Sequence, residues 1–274
     1  MQNDSMFNLS GQVAVLTGAG GVLIAEMARE LGRRGVKVVA TNRSLAKAEA
    51  VAAAINQAGG EALALALDVT DRAALEAVAA QVVARYGRID FLINGAGGNR
   101  KEATPAPGEP FFGIPAEALR AVVDLNLFGT VMPCQVFGRQ MAAQQSGVII
   151  NISSMSAIRP ITRVGGYGMA KAAVDNFTQW LAVHLAQTCS PNIRVNAIAP
   201  GFFLTEQNRF LLTKEADGSL TPRGQQVISH TPMNRFGSPG DLLGALVWLL
   251  SPSASFVTGV VLPVDGGFAA CSGV

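Results

Sequence analysis

The chain has 274 residues, 49% of them hydrophobic and 15% charged, with a net charge of +2. That balance excludes a disordered chain, and the mixing of acids and bases along it gives no charge-based reason to expect nucleic acid or a membrane surface as a partner. Three scattered cysteines, Cys134, Cys189 and Cys271, fit neither a disulfide framework nor a metal site, and the opening residues lack a secretory pattern, so a cytoplasmic protein without a metal is expected.

In chain order, short apolar and β-branched runs alternate with longer helical patterns. Runs at 13–17, 36–41, 62–67, 89–94, 148–153, 193–199 and 260–264 predict strands buried on both faces. Stretches near 23–34, 45–58, 71–86, 115–143, 167–188 and 240–250 predict helices. The Ala-rich stretch 46–58 favours helix, Asp71 is placed to cap the next helix, and Gly87 to end it. No apolar run is expected to reach membrane-spanning length, the best candidate being 242–250, which stops at Ser251 and Pro252. The alternation predicts an α/β fold with one domain over 1–274. Its doubly wound, mostly parallel, seven-stranded sheet carries helices on both faces, a Rossmann arrangement. Two interruptions, at about 99–115 and 201–239, follow strand carboxyl ends, where ligands of such sheets bind, and are expected to be functional loops.

The turn after the first strand reads Thr17-Gly18-Ala19-Gly20-Gly21-Val22-Leu23-Ile24. Glycines there let the backbone approach a pyrophosphate, whose charge the next helix N-terminus favours, although an ordinary strand-to-helix turn would use the same residues. The second strand ends in Thr41-Asn42-Arg43-Ser44, with no carboxylate to accept from a ribose 2′-hydroxyl. Arg43 can instead fork onto a 2′-phosphate, which favours NADP(H) while leaving NAD(H) possible; the plain alternative is a solvated surface arginine. Asp68-Val69 ends the third strand and Asn94-Gly95-Ala96-Gly97-Gly98-Asn99 the fourth. These could serve an adenine amino group and a closely passing ribose, or simply make turns.

The fifth strand ends in Asn151-Ile152-Ser153-Ser154, and Tyr167 and Lys171 follow at i and i+4 on one helix face. An ammonium beside the phenol favours phenolate and lowers a pKa that starts near ~10. The Ser154 hydroxyl can hydrogen-bond a carbonyl oxygen and stabilise developing alkoxide charge. Alone, the Tyr–Lys pair is better read as a helix-surface pair. In order with Thr17-Gly18, Asp68, Asn94-Gly95-Ala96-Gly97, Asn126, Ser154 and Pro200-Gly201, it makes the chain resemble the short-chain dehydrogenase/reductase family over nearly its whole length.

That resemblance implies a catalytic tetrad of Asn126, Ser154, Tyr167 and Lys171. Tyr167 would be the acid/base, Ser154 would orient and polarise the carbonyl, Lys171 would tune Tyr167 and hold the nicotinamide ribose, and Asn126 would hold a proton-relaying water. Cofactor contacts are implied for Thr17, Gly18, Gly20, Gly21, Val22, Leu23, Asn42, Arg43, Asp68, Val69, Asn94, Gly95, Ala96, Gly97, Tyr167, Lys171, Pro200, Gly201, Phe202 and Thr205, and assembly as a homotetramer is implied. The family usually has glycine where this chain has Val22 and Ile24, and Ile24 is expected to crowd the approach to the pyrophosphate.

Within the family, the segments Gly20-Gly21-Val22-Leu23, Asp124-Leu125-Asn126-Leu127, the stretch from Pro200 to Arg209 and Val264-Asp265-Gly266-Gly267-Phe268 are most similar to members described as D-mannonate oxidoreductases, or fructuronate reductases. This implies reduction of a keto-uronate such as D-fructuronate to D-mannonate, or the reverse. A sugar-acid site needs a cation for the carboxylate and amides or hydroxyls for the polyol. Candidates are Asn99, Arg100, Ser154, Arg159, Arg163, Gln207, Asn208 and Arg209, with Arg163 on a loop that starts and ends at the chemistry. His230 reads as a loop hydrogen-bonder, and His184 and Trp180 as core or subunit-contact residues. The apolar tail from Phe268 to Val274 is expected to pack at a subunit contact. The alternatives are the same chemistry on a 3-oxoacyl thioester, a sugar or polyol, or a xenobiotic ketone, and a silent dinucleotide-binding sensor, against which the intact tetrad speaks.

Overall fold

The structure, a computed structural model, describes residues 5–106, 108–205 and 209–272. Seven strands, β1 (Val13–Thr17), β2 (Lys37–Asn42), β3 (Glu61–Ala66), β4 (Phe91–Asn94), β5 (Gly147–Ile152), β6 (Ile193–Pro200) and β7 (Val261–Val264), form one sheet in the order β3-β2-β1-β4-β5-β6-β7. Every pairing is parallel. The chain therefore winds outward from β1 in one direction and then, from β4, in the other, which opens a crevice at the carboxyl ends of β1 and β4.

Period-two alternation on the central strand feeds two cores. Ala14 and Leu16 pack into one with α1 (Val22–Arg33), α2 (Leu45–Gln57) and the late helix α10 (Leu243–Leu250). Val13 and Val15 pack into the other with α3 (Arg72–Tyr86), α5 (Gly129–Gln144) and α7 (Gly165–Thr188). Strands β1 and β4 to β6 are buried on both faces, as the unbroken apolar runs predict. The outer strands β3 and β7 are only partly covered, because each has a neighbour on one side alone. Asp71 does cap α3, its Oδ1 accepting from Ala74 N at 3.1 Å, and Gly87 ends the helix in the left-handed region at φ 75°.

The predicted helix 115–143 is three pieces: α4 (Ala116–Val123), a π turn (Asp124–Phe128) and α5. The π turn closes with Gly129 N donating to Asp124 O, and Pro133, inside α5, leaves Gly129 O without its helical N–H partner. Contrary to the expectation from apolar runs, Ala116–Gln144 is long and apolar enough by composition to cross a membrane; 50% of its most apolar window is buried inside the fold, as in a core helix. The stretch 201–239 also carries structure that its irregular pattern hides, α8 (Arg209–Leu212) and α9 (Pro222–Ser229), and α6 (Met155–Ile158) precedes α7.

Candidate active site

In the sheet register, Thr17, Asn94 and Asn151 lie side by side at the carboxyl ends of β1, β4 and β5. Their side chains turn inward. Thr17 Oγ1 accepts from Gly95 N and Ala96 N at 3.1 and 3.2 Å. Asn94 Nδ2 donates to Asn151 Oδ1 at 2.9 Å and to Cys134 Sγ at 3.2 Å, and Asn151 Nδ2 donates to Thr178 Oγ1 at 2.8 Å. Burial pushes the Cys134 thiol up to about 12, so it is an inert core group. Thr17 and Asn94 thus build the floor of the crevice.

Small residues on that floor form a cradle. Gly18 has φ 68°, and a Cβ on it would lie 2.8 Å from the Ala96 backbone. α1 begins after Gly21 with no side-chain cap, and Val22 is exposed, so the first-turn N–H groups are open to an anion. Ile24 does not crowd that approach: it is 4% exposed and packs beneath the Gly95 backbone, because its helix face is the core-facing one. Leu23 leans on the same core. A Cβ on Gly20 would lie 2.6 Å from Lys47 Cβ and 3.1 Å from Asn42 Cγ, and Asn42 Nδ2 donates to Ser44 O at 3.2 Å. Arg43 is exposed at the end of β2. Asp68 accepts from Thr70 N and Oγ1 at 2.9 and 2.7 Å, contacts that hold its carboxyl below the ordinary range, with a smaller contribution from the Arg43 charge. Val69 is buried against Gly129. Pro200 ends β6, and Gly201 lies so near Asp265 that a Cβ would meet its Cα at 2.6 Å. Phe202, on the same edge, lies at 5.2 Å from the Phe268 ring; Thr205 follows it, its backbone carbonyl accepting from Arg209 N at 2.9 Å. An exposed helix start with open donors above a glycine floor fits a dinucleotide.

The tetrad comes together beside this floor. Asn126, in the π turn, donates from Nδ2 to Gly98 O at 2.7 Å and to Val122 O at 2.8 Å, while its Oδ1 accepts from Gly98 N at 3.1 Å. Its amide therefore clamps the loop after β4. A Cβ on Gly97 would stand 2.7 Å from Asn126 Oδ1 and 3.2 Å from Lys171 Nζ, so cofactor loop and catalytic amine share one wall. Lys171 Nζ donates to Ile152 O at 2.7 Å and lies 5.7 Å from the Tyr167 ring centroid. The Ser154 hydroxyl faces that of Tyr167. Ser154 Oγ also accepts from Ser156 Oγ at 2.9 Å and caps α6.

The electrostatics correct one expectation. Burial pushes the Tyr167 phenol up, and the group drawing it down is Ser154 rather than Lys171. Lys171 is itself desolvated, its pKa lowered to about 8 by burial, against the pull of Asp175 one turn further along α7. At neutral pH that amine still holds its proton for the most part, and in the buried site its charge acts through a low dielectric. Asp175, raised by burial, has a buried Oδ1 with no well-formed hydrogen bond, and the hydroxyl of Ser153 facing it is in the same state. Motif spacing did not mark these two residues; the i+4 step from Lys171 to Asp175 was the available signal.

The substrate candidates scatter more. Asn99 and Arg100 are exposed, with Asn99 Nδ2 donating to Thr104 Oγ1 at 2.9 Å. Arg159 Nε donates to Ala269 O at 2.8 Å, which ties it to the C-terminal segment. Arg163 Nε donates to Pro105 O at 3.1 Å, and Arg209 opens α8 with its side chain exposed. Gln207 and Asn208 lie outside the described residues. His230 makes a loop hydrogen bond through Nδ1 to Gln226 O at 2.8 Å, as read. Trp180 is exposed and stacked on His184 at 4.8 Å, which removes it from the core. Phe268 packs within the chain on Phe202. One cleft of about 390 Å³ is lined by Phe202 and Gly266 and another of about 640 Å³ runs along 101–114; no tetrad residue lines either.

Known proteins resemble this chain in sequence and fold. A family model described as enoyl-(acyl carrier protein) reductase matches residues 23–269. The uncharacterized oxidoreductase UxuB of Bacillus subtilis (strain 168) is 49% identical over 276 residues, spanning 97% of this chain and 98% of its own. A solved structure from Haemophilus influenzae, provisionally named a D-mannonate oxidoreductase and holding NAD, is 41% identical with a TM-score of 0.90, spanning 97% of this chain and 98% of that one. A gluconate 5-dehydrogenase from Burkholderia cenocepacia J2315, in complex with NADP and tartrate, is 31% identical with a TM-score of 0.86, over 97% of this chain and 98% of its own. The chain belongs to the short-chain dehydrogenase/reductase family. It is an oxidoreductase of alcohol and carbonyl groups that uses a nicotinamide dinucleotide.

Proposed function

We propose that the protein is a cytoplasmic, NADP(H)-preferring reductase of a sugar acid, converting D-fructuronate to D-mannonate reversibly. The observation that carries this reading is the meeting of the Ser154 and Tyr167 hydroxyls above buried Lys171, beneath loops that bear arginines and amides. When bound, the dinucleotide would supply the hydride in one direction and take it in the other. Ser154 holds the ketone oxygen, and Tyr167 hands it a proton as alkoxide charge develops. A phenol kept neutral by burial is poised as the acid, which suits the reductive direction. Lys171 and Asn126 set the wall against which the reacting groups are aligned.

The cofactor preference rests on Arg43, exposed at the end of β2 where no carboxylate competes for the ribose, with Lys47 close by at Gly20. Self-association as a tetramer is supported by Met169, Trp180 and Val183, which recur on one side of α7 and are 59%, 56% and 57% exposed. A second reading, reduction of a bulky apolar ketone, draws on Phe111 and Phe112, exposed on the 99–115 loop at 68% and 92%. The deciding experiment measures NADPH and NADH oxidation with D-fructuronate, D-tagaturonate and a 3-oxoacyl ester, in wild type and Tyr167→Phe. Turnover of the uronates with NADPH is expected; turnover of the acyl ester alone replaces the sugar-acid reading with the second one.

A further inference from the structure

Two stretches of chain meet beside the catalytic phenol, the strip 100–106 after β4 and the segment 159–164 that leads into α7. The strip is stiff at its near end, where Thr104 Oγ1 donates to Arg100 O at 2.8 Å and accepts from Asn99 Nδ2 at 2.9 Å. Its Ala103, 1% exposed, packs in one small cluster with Tyr167, Leu119 and Val122. The first turn of α7 rests on the same cluster, since a Cβ on Gly166 would stand 2.8 Å from Leu119 Cδ2. At its far end the strip is tied by a single bond, Arg163 Nε donating to Pro105 O at 3.1 Å. Among the described residues no other side-chain hydrogen bond joins the two stretches. Pro105 also lines the cleft of about 640 Å³ along 101–114, so this bond fastens one wall of that cleft to the approach of the phenol's helix.

The backbone says that the bond is used. Arg163 takes φ 71°, in the left-handed region that glycine or asparagine enters far more readily than arginine. The turn into α7 does not itself call for a long side chain, and an unfavourable conformation kept beside a catalytic residue points to a task for that side chain. We propose that Arg163 is a specificity-determining residue whose Nε latches the 100–106 strip beside Tyr167 and so sets the width of the way to the phenol. With the bond made, the gap between the two stretches is no wider than one arginine side chain, which suits a slender, open-chain ketone. With it broken, the far end of the strip comes loose and a fused-ring ketone is admitted. The inference does not depend on which open-chain ketone is the natural substrate.

Three variants separate the bond from the charge and from the fold. Arg163→Gln puts an amide donor where Nε stands but carries no charge, and Arg163→Met has the same reach with no donor. Arg163→Gly also lacks the donor but takes φ 71° freely, so its Tm should equal or exceed that of wild type. In amide hydrogen exchange of the ligand-free protein, the peptide covering 100–106 should exchange about 3- to 10-fold faster in Arg163→Met and Arg163→Gly. Arg163→Gln should exchange there as wild type does, and β1 and β4 should be unchanged in all three. The ratio of kcat/KM for D-fructuronate over 2-decalone should fall about 10-fold in Arg163→Met and Arg163→Gly and hold within about 2-fold in Arg163→Gln. Turnover of 2-decalone that first appears in those two variants counts as such a fall. Equal loss in Arg163→Gln and Arg163→Met assigns the guanidinium to a substrate anion and overturns the latch. So does an unchanged ratio in Arg163→Met, or exchange at 100–106 that stays slow. If wild type reduces no sugar acid, the substrate reading fails by itself, and the ratio is taken with the 3-oxoacyl ester in place of D-fructuronate.

Discussion

Thr17, Asn94 and Asn151 sit shoulder to shoulder in the sheet with their side chains bonded inward, whereas Asn99, Arg100 and Arg163 stand on loops and Arg209 at the start of the one-turn α8, three of the four exposed. The floor is fixed by parallel pairing and buried hydrogen bonds, so its atoms are placed before any ligand arrives. The rim takes its positions from a few loop contacts such as that of Arg163 with Pro105. Chemistry that must meet a nicotinamide in one geometry belongs on the floor, and discrimination among substrates belongs on the rim. Changes to the floor should therefore lower kcat for every substrate, and changes to the rim should alter which substrate is taken.

The strongest test is Tyr167→Phe, which should cut kcat by about 10²–10⁴ for acid and neutral substrates alike, with cofactor affinity nearly unchanged in a fluorescence titration. Loss confined to the sugar acids would break the division between floor and rim. Arg43→Glu touches neither. It should move the NADPH over NADH ratio of kcat/KM down by about 10- to 100-fold, because a carboxylate replaces the fork at the 2′-phosphate. A ratio that stays put would mean that Arg43 is only a solvated partner of Asp68. Asn94→Ala removes two buried donor contacts and should cost roughly 1–3 kcal/mol in denaturant unfolding.

The smallest effect is in pH. Folded Lys171 loses its proton near 8, against an ordinary value of 10.5, so above pH 8 the unfolded chain binds more protons and stability rises with pH. Cys134 acts in the opposite sense above pH 9, because its buried thiol keeps its proton to about 12. The rise should therefore show between pH 8 and 9 in urea midpoints and vanish in Lys171→Met. A wild-type curve flat over that window would place the amine in a wetter site than the floor allows.

Much of the floor was legible in the sequence for the same reason that it is rigid. Unbroken apolar runs mark strands buried on both faces, and β1 coincides with its predicted bounds. The spacing from Ser154 to Tyr167 and Lys171 is a local property of β5 and α7, so it survives in one dimension. Burial of β3 and β7 was not legible, since being an edge is decided by strand order. Nor was the split at the π turn, across which the apolar periodicity continues on either side.

The missing Cβ of Gly97 has a consequence for redesign. Because that backbone leans on Asn126 and Lys171 together, no side chain can be added there to alter nucleotide fit without moving the proton-handling groups as well. The end of β2 is free of this entanglement. An engineer wishing to exchange one coenzyme for the other has a separate handle in Asn42 and Arg43, and turnover of the bound substrate should survive the exchange.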